Sequence, residues 1–325
     1  MRLQQFLVST VLLTTSFGIS SGMAQVKTVD SSEQRSVTVS PEFMMQLQDK
    51  ARRGDARAQW ALGNAYRTGV GVAQNYEEGL RWLRTSAEQN FANAQTVLGY
   101  LYEQGLGVKK NYKEALRYYR AAALQGDSIA QNNLAAMYSQ GHGTAKDSAA
   151  TLYWYLASAH GGNPVGQCNV GSMYFSGRSI PADHREAAKW FLAAAQQGIP
   201  EAQNLLAVLY YRGDGVPLSY EQAAYWARRA ADQGFAPGQA DLGALYEQGK
   251  GVPLDYAAAY AWYLLAAGGG ERSSKERLKN LKRIMLPHQL RAAKALASEW
   301  EVSHNPRLDQ ASIDPQSSMS FLPAR

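Results

Sequence analysis

A pattern of 36 residues returns six times between residues 55 and 270, with no insertion or deletion. Each copy places the same residue types at the same distances along the chain. Five positions carry the pattern: a glutamine (Gln59, Gln95, Gln131, Gln167, Gln203, Gln239), a tyrosine (Tyr66, Tyr102, Tyr138, Tyr174, Tyr210, Tyr246), a glycine (Gly69, Gly105, Gly141, Gly177, Gly213, Gly249), a large aromatic residue (Trp82, Tyr118, Trp154, Trp190, Trp226, Trp262) and an alanine (Ala87, Ala123, Ala159, Ala195, Ala231, Ala267). Such self-similarity indicates one supersecondary unit copied in tandem. The units are 55–90, 91–126, 127–162, 163–198, 199–234 and 235–270.

The first half of each unit predicts an amphipathic helix. In unit 55–90, Ala58, Leu62 and Tyr66 follow one another at a spacing of four residues, which places them on one helix face. Gly69 then ends the helix, because glycine tolerates the positive φ of a helix C-terminus.

The second half of each unit predicts another helix, and its start is marked by a capping residue. This position reads Asn75, Asn111, Asp147, Asp183, Ser219 and Asp255 in the six units. Their side chains accept hydrogen bonds from free backbone N–H groups. Glu78, Glu114, Glu186 and Gln222 follow three residues later, which predicts a reciprocal capping box in those four units. Each unit is therefore a helix hairpin.

A single hairpin leaves its aromatic residues half wet, so neighbouring hairpins must stack to bury them. Small residues at one phase of the first helix allow a close approach: Gly63, Gly99, Ala135, Gly171, Ala207 and Gly243. Nothing cross-links the chain, since Cys168 is its one cysteine. We predict an all-α fold, a right-handed α-solenoid of six helix hairpins with capping helices at both ends.

The string Ala58-Gln59-x-x-Leu62-Gly63-x-x-Tyr66-x-x-Gly69-x-Gly71-Val72, followed by Trp82 and Ala87, resembles the Sel-one-like repeat. This repeat is a relative of the tetratricopeptide repeat with a longer loop. Unit 163–198 departs from the pattern at Val170 and at Ser179, which replaces the second loop glycine, so its hairpin loop is expected to differ. The resemblance implies an adaptor that binds other proteins, and exported bacterial members act in envelope assembly, signalling or host contact.

Outside the repeats, the sequence predicts an exported protein with capped ends. Residues 1–24 match a secretory signal that is cleaved after Ala24, with an apolar stretch that is short for a membrane span. We expect a periplasmic or secreted protein without an integral membrane span in its mature form. Residues 25–39 are a predicted flexible linker, 40–54 an N-terminal capping helix, 271–300 the C-terminal capping helices, and 301–325 a flexible tail.

The sequence carries no constellation typical of catalysis, of a cofactor or of a metal site. The histidines His142, His160, His184, His288 and His304 fall at unrelated phases and are expected on the solvated surface. The Gly-x-Gly pairs of the hairpin loops lie between helices, so we interpret them as turns rather than as phosphate-binding loops. The recurring glutamines are expected to bond backbone at each hairpin junction. We predict a protein that is not an enzyme. A β-lactam-binding or hydrolysing enzyme is an alternative from the family, but the paired cysteines of such relatives are absent.

Function is expected where the units differ from one another. By resemblance to related solenoids, one side of the first helices lines a concave groove. The predicted partner-binding residues on that side are Trp60, Asn64, Asn93, Thr96, Tyr100, Asn132, Asn133, Asn169, Phe175, Asn204 and Tyr211. Asparagine can bond a peptide backbone at both ends, and aromatic rings supply contact area at low entropic cost. A protein or peptide partner is the leading prediction. A glycan or peptidoglycan ligand is the alternative, and an ordinary wet helix face is the third.

Residues 271–294 hold eight of the basic side chains against two acids, a local surplus that equals the net charge of +6 of the whole chain. The other charges are scattered, so no nucleic-acid partner is expected. The basic segment is either a solvated cap face or a weak contact for anionic lipid or cell-wall polymer through residues 272–294.

Overall fold

We describe the protein from a computed structural model, which covers residues 39–177 and 180–304. The predicted signal sequence and most of the predicted linker lie outside the described residues, as does Ser179. The chain divides into two compact units, Met1–Ser86 and Ala87–Arg325.

The described residues form fifteen α-helices and no strand. This confirms the predicted all-α class. The helices are α1 (Pro41–Arg52), α2 (Ala56–Thr68), α3 (Tyr76–Glu88), α4 (Ala92–Gln104), α5 (Tyr112–Leu124), α6 (Ser128–Gln140), α7 (Ser148–His160), α8 (Pro164–Ser176), α9 (His184–Gln196), α10 (Pro200–Arg212), α11 (Tyr220–Asp232), α12 (Ala236–Gln248), α13 (Tyr256–Gly268), α14 (Ser273–Ile284) and α15 (Pro287–His304).

The first compact unit contains α1, α2 and most of α3. Ser40 caps α1, since its hydroxyl accepts from the Phe43 N–H at 3.2 Å. Helix α1 packs on α2 through a small core that includes Met44, Ala51 and Leu62. The lone helix before the repeats therefore buries the outer side of the first hairpin.

In the second compact unit, first helices (α4, α6, α8, α10, α12) alternate with second helices (α5, α7, α9, α11, α13). Each first helix packs on the second helix of its own hairpin and on that of the hairpin before it, from α5·α6 onward. Each first helix ends at a glycine with positive φ, such as Gly105 at 77°. Helices α14 and α15 both pack on α13 and close this unit.

The recurring glutamines fix each first helix to the end of the second helix before it, or to α1. In every unit the glutamine Nε2 donates to the carbonyl oxygen eight residues earlier. The bonds are Gln59–Ala51 at 3.1 Å, Gln95–Ala87 at 3.5 Å, Gln131–Ala123 at 3.2 Å, Gln167–Ala159 at 3.3 Å, Gln203–Ala195 at 3.0 Å and Gln239–Ala231 at 3.4 Å. The predicted structural role of this series is confirmed, so the glutamines are part of the scaffold.

The predicted caps of the second helices are also confirmed. Asp183, for example, accepts from the N–H groups of Arg185 and Glu186, each at 3.0 Å. The prediction of a reciprocal capping box is wrong, as Asp183 and Glu186 show. The N–H of Asp183 donates to the Tyr174 carbonyl of the preceding first helix at 3.0 Å, while Glu186 pairs with Lys189 on its own helix. The tyrosine backbone takes the bond because the loop returns the chain to the first helix.

The small residues of the first helices lie against large side chains of the second helices. A Cβ added at Gly99 would lie 2.6 Å from Cδ1 of Tyr119, and one added at Gly171 would lie 2.6 Å from Cδ1 of Phe191. Ala207 instead shares a core with Ala227, at the matching positions of unit 199–234. Helix spacing in each hairpin is therefore set by these facing pairs.

The C-terminal end differs from the prediction in one respect. A flexible tail was expected from residue 301, but α15 continues to His304. The imidazole of His304 stacks on the Trp300 ring with centroids 4.2 Å apart, which accounts for the additional helical residues. Residues 305–325 lie outside the described part of the chain.

Candidate partner-binding face

The predicted partner-binding residues lie on the first helices, and contacts join them from one first helix to the next. Asn169 Nδ2 on α8 donates to Asn132 Oδ1 on α6 at 2.8 Å, and Asn132 Nδ2 donates to Asn133 Oδ1 at 3.4 Å. Tyr211 Oη on α10 donates to Gln248 Oε1 on α12 at 2.8 Å. We call this surface of α4, α6, α8, α10 and α12 the first-helix face.

The asparagines of the first-helix face are partly used by one another. Asn132, Asn133 and Asn169 are half-buried and form the short row of amide bonds. An amide has two donor hydrogens and an acceptor oxygen, so each residue retains capacity for a further bond. The row is therefore a preformed polar strip rather than a set of free side chains.

Two predicted residues are more buried than the sequence indicated. Thr96 is 4% exposed and its hydroxyl donates to the Ala92 carbonyl at 3.1 Å, so it serves the helix rather than a partner. Asn204 is 8% exposed and lies beside the Asp241 side chain on α12. Its Oδ1 has no hydrogen-bond partner among the described residues. Both side chains are buried between helices. Residue spacing gives the side of a helix on which a residue lies, but not how far the packed surface extends around that helix.

The predicted aromatic residues are half-buried with specific neighbours. Phe175 stacks on His184 with centroids 5.4 Å apart and contacts Phe191 edge-on. The Tyr211 hydroxyl accepts from Lys250 Nζ at 2.9 Å while it donates to Gln248. Both rings are therefore partly exposed to solvent and held in place by neighbouring side chains.

Three further predicted partner-binding residues remain: Asn93 in the second compact unit, and Trp60 and Asn64 in the first. Asn93, in the first turn of α4, is exposed. In the first compact unit, Trp60 and Asn64 are half-buried on α2, and Asn64 Oδ1 accepts from Arg67 Nε at 3.1 Å.

Carboxylates on the same helices were not named from the sequence. Glu103 accepts from the Tyr119 hydroxyl at 2.8 Å, and burial raises the pKa of Glu103 above its usual range. Burial likewise raises the pKa of Glu201 and of Asp241. Each is a carboxylate withdrawn from water without a cation in an ion pair among the described residues. A count of charge per first helix would have found them.

Of the five histidines, His160, His288 and His304 are exposed as expected, whereas two are less solvated. His142 is half-buried and its ring stacks on Tyr112 with centroids 4.1 Å apart. His184 Nδ1 lies 3.9 Å from Asp214 Oδ2. Both contacts join the loop of one hairpin to the start of the preceding second helix, so these two histidines help to join neighbouring hairpins.

The one cysteine of the chain, Cys168, is buried. Burial raises the pKa of the Cys168 thiol, which keeps it protonated and unreactive. The described residues contain no group of three or more His, Cys, Asp or Glu side chains arranged for a metal ion. None of the helices in residues 39–177 and 180–304 is both long and apolar enough to cross a bilayer.

The protein is an all-α repeat solenoid. Its tandem helix hairpins are joined by a glutamine that recurs at one position of every repeat, and small residues of the first helices pack against the second helices. The Sel1 repeat model matches residues 56–91, 92–127, 128–163, 164–199, 200–235 and 236–271. The chain therefore belongs to the Sel1 repeat family. Sel1 repeat proteins are generally non-catalytic scaffolds that mediate protein interactions.

Two solved structures have the same fold. A protective antigen present in uropathogenic Escherichia coli strains, which displays an SLR fold, is 32% identical with a TM-score of 0.78, over 87% of this chain and 61% of its own. This chain thus spans about three fifths of that antigen. A Sel1 repeat protein from Oxalobacter formigenes is 33% identical with a TM-score of 0.65, over 74% of this chain and 69% of its own. No curated protein matches the chain.

Proposed function

We propose that the protein is a non-catalytic adaptor that binds protein partners through its first-helix face. The supporting observation is the combination of half-buried rings, an amide row and desolvated carboxylates on the first helices. Tyr100, Phe175 and Tyr211 supply rigid contact area, and Asn132 and Asn169 supply directional bonds. Such a surface has the composition of a binding site rather than of an ordinary wet helix face.

A bulky group attached to the first-helix face tests this function by blocking partner binding. The group can be attached at a single site because the native thiol, Cys168, is buried. Asn93 on the first-helix face and Leu124 on second helix α5 are both exposed and can each be replaced by cysteine. Because Cys168 is buried, a polyethylene glycol maleimide will modify only the new cysteine.

The modified Asn93→Cys protein should lose bound polypeptides from an envelope extract, whereas modified Leu124→Cys should retain them. Equal retention by both would contradict the role of the first-helix face. Retention of peptidoglycan fragments instead of polypeptides would favour the glycan-binding alternative.

We also propose that the adaptor is exported and acts in the cell envelope, in assembly, signalling or host contact. The support is the sequence of residues 1–24, with Arg2 followed by an apolar stretch and by a small-x-small site ending at Ala24. N-terminal sequencing of the protein from a periplasmic fraction should begin at Gln25. A chain that begins at Met1 in the cytoplasmic fraction would contradict export.

A second surface, at the C-terminal cap, supports contact with anionic lipid or cell-wall polymer. Eight cations lie between residues 272 and 294, and all are exposed: Arg272, Lys275, Arg277, Lys279, Lys282, Arg283, Arg291 and Lys294. Arg277 pairs with Glu247 at 3.5 Å, and the other seven make no ion pair within the described residues. Ile284 and Leu286, 63% and 56% exposed, lie among these cations and could enter a lipid interface.

Vesicle sedimentation tests this contact. The protein should sediment with vesicles that contain phosphatidylglycerol and not with pure phosphatidylcholine. Salt should release it, because the attraction is electrostatic and each cation contributes about 1 kcal/mol at most. Ile284→Ser/Leu286→Ser should weaken sedimentation. The matched control Leu254→Ser, at a position 58% exposed, should not. Sedimentation that is insensitive to salt, or equal for both vesicle types, would refute the contact.

A further inference from the structure

A groove of about 440 Å³ runs along the second helix α5. Its lining comes from α5 and from Gly143, which lies in the loop between α6 and α7. A Cβ at Gly143 would clash with the Tyr112 backbone, so glycine lets this loop close against the start of α5. We call this site the α5 groove. Its α5 residues follow one another at spacings of three and four along one helix face: Lys113, Leu116, Arg117, Arg120, Ala121 and Leu124.

The α5 groove has an aliphatic floor that the fold leaves partly uncovered. Leu116 is half-buried and packs on the core that contains Tyr119, whereas Leu124 is 70% exposed. No other large hydrophobic side chain of the described residues is more exposed than Leu124. The alkyl stems of the lysine and arginine side chains extend this apolar strip.

The charge around the α5 groove is strongly positive. Residues 109–124 carry five Lys or Arg and one acid, Glu114. Glu114 pairs with Arg117 at 2.8 Å. Lys113 and Arg120 are exposed and take part in no ion pair within the described residues. Two cations at the groove are therefore available to an anion.

The other second helices of this compact unit lack the combination. At the same positions, α9 has the two cations Arg185 and Lys189, with Gln196 in place of Leu124. Those positions of α7 and α13 include no Lys or Arg, and those of α11 hold two arginines and two acids. The hairpin fold therefore does not require the leucine and the three cations of α5.

The lining favours an alkyl chain over a polypeptide. Lysine and arginine side chains donate hydrogen bonds and accept none, and Leu116, Ala121 and Leu124 do neither. The N–H groups of a peptide laid along these side chains would find no acceptor, and an unpaired donor withdrawn from water is costly. An alkyl chain carries no such groups. A carboxylate or phosphate at its end suits the planar fork of Arg120.

We propose that the α5 groove binds a single-chain anionic amphiphile. Its alkyl chain lies along Leu116 and Leu124, and its acidic head pairs with Lys113 and Arg120. The volume of the groove falls within the range of small-molecule sites, about 300–1,000 Å³. Fatty acids and lysophospholipids share this chemistry. The site lies on a second helix, so the inference is independent of partner binding by the first-helix face.

Displacement of a fluorescent fatty acid from the whole chain tests the inference. The probe is dansyl-labelled undecanoate, whose emission rises when it leaves water. Decanoate should displace it at least about tenfold more effectively than decanol, which has the same chain and a neutral head. Lysophosphatidylglycerol, used below its micelle concentration, distinguishes the two sources of ligand. The more effective of the two anionic competitors identifies a free fatty acid or a membrane-derived lipid.

Two variants test the parts of the site, each with a matched control. Lys113→Gln/Arg120→Gln should abolish the preference for decanoate over decanol, and Arg185→Gln/Lys189→Gln on α9 should retain it. Leu124→Ser should weaken probe binding about fivefold or more, because it removes apolar contact area. Leu218→Ser, at a leucine 55% exposed in a hairpin loop, should not. These side chains are exposed, so thermal melting should show that all four variants remain folded.

Several results would overturn the inference. These are an absence of probe binding, equal displacement by decanoate and decanol, and a retained preference in Lys113→Gln/Arg120→Gln. Loss of probe binding in Ile284→Ser/Leu286→Ser would place the amphiphile at the C-terminal cap instead. Displacement by a glutamate-rich peptide but not by decanoate would assign the groove to an acidic polypeptide. The polyethylene glycol block at Asn93 scores the adaptor function separately and should leave probe binding unchanged.

Discussion

Gly99 is the position where the close packing of a hairpin can be tested most sharply. It lies on α4 opposite Tyr119, a fully buried ring on α5 whose hydroxyl is held by Glu103. The substitution Gly99→Ala adds a single methyl group at this contact and leaves the rest of the chain unchanged.

The size of the effect follows from three distances. The new Cβ would lie 2.6 Å from Tyr119 Cδ1, 2.7 Å from Cε1 and 3.0 Å from Cγ. Carbon atoms pack at about 3.5–4.0 Å, so the helices must separate by roughly 1 Å. Overpacking of this kind costs about 1–3 kcal/mol, against a gain of up to about 1 kcal/mol in helix propensity. We expect a net loss of about 1–2 kcal/mol, and a larger loss for Gly99→Leu.

Urea unfolding measures the loss, and two controls isolate its cause. Gly268→Ala adds a methyl group in a helix with no atom within 4 Å, and should stabilise by about 0.4–1 kcal/mol. The double variant Gly99→Ala/Tyr119→Ala reproduces the Ala207/Ala227 pairing of unit 199–234. It should be more stable than the sum of its single variants predicts, by about 1–2 kcal/mol. A Gly99→Ala protein as stable as the wild type, or additive single variants, would refute the packing argument.

Three further outcomes test other parts of the structure. Asp183→Ala should cost about 1 kcal/mol through loss of the α9 cap, whereas Glu186→Ala should cost about 0.5 kcal/mol or less in urea unfolding, because no capping box is formed. Glu201→Gln should raise the melting temperature at neutral pH. Since burial raises the pKa of folded Glu201, the advantage should shrink as the pH falls through that pKa and vanish below its ordinary value of 4.5. Cys168 should not react with Ellman's reagent in the native protein and should react fully in guanidinium, since it is buried and its pKa is raised.

The repeated positions could be predicted because they serve the same contact in every unit. Gln59 recurs as glutamine and Asn75 recurs as a capping residue in all six units, so the repetition separates their role from that of the variable residues around them. Their bonds to backbone follow from hairpin geometry. The small residue at Gly99 was predicted from the same register to allow a close helix approach, but the large Tyr119 ring that it faces on the second helix of its own hairpin was not.

The candidate site was harder to predict, since it is made of residues that differ between units. Thr96 and Asn204 belong to the predicted helix side, but a difference of part of a turn places them in the seam between helices. Asp241 matters because it meets Asn204 on the neighbouring helix, and only the stacking of hairpins reveals which side chains meet. The bond from the Asp183 N–H to the Tyr174 carbonyl depends on the path of the hairpin loop, which spacing does not specify.

The most direct test of the first-helix face is a matched pair of photocrosslinking probes. Tyr211 on α10 and Tyr225 on α11 are tyrosines on adjacent helices of one hairpin, and each can be replaced by p-benzoylphenylalanine. Tyr225 is 50% exposed, so a probe there has free access to solvent. Irradiation in an envelope extract should give polypeptide adducts from position 211 and none from position 225. Adducts from position 225 alone, or equally from both, would contradict the assignment of partner binding to the first helices.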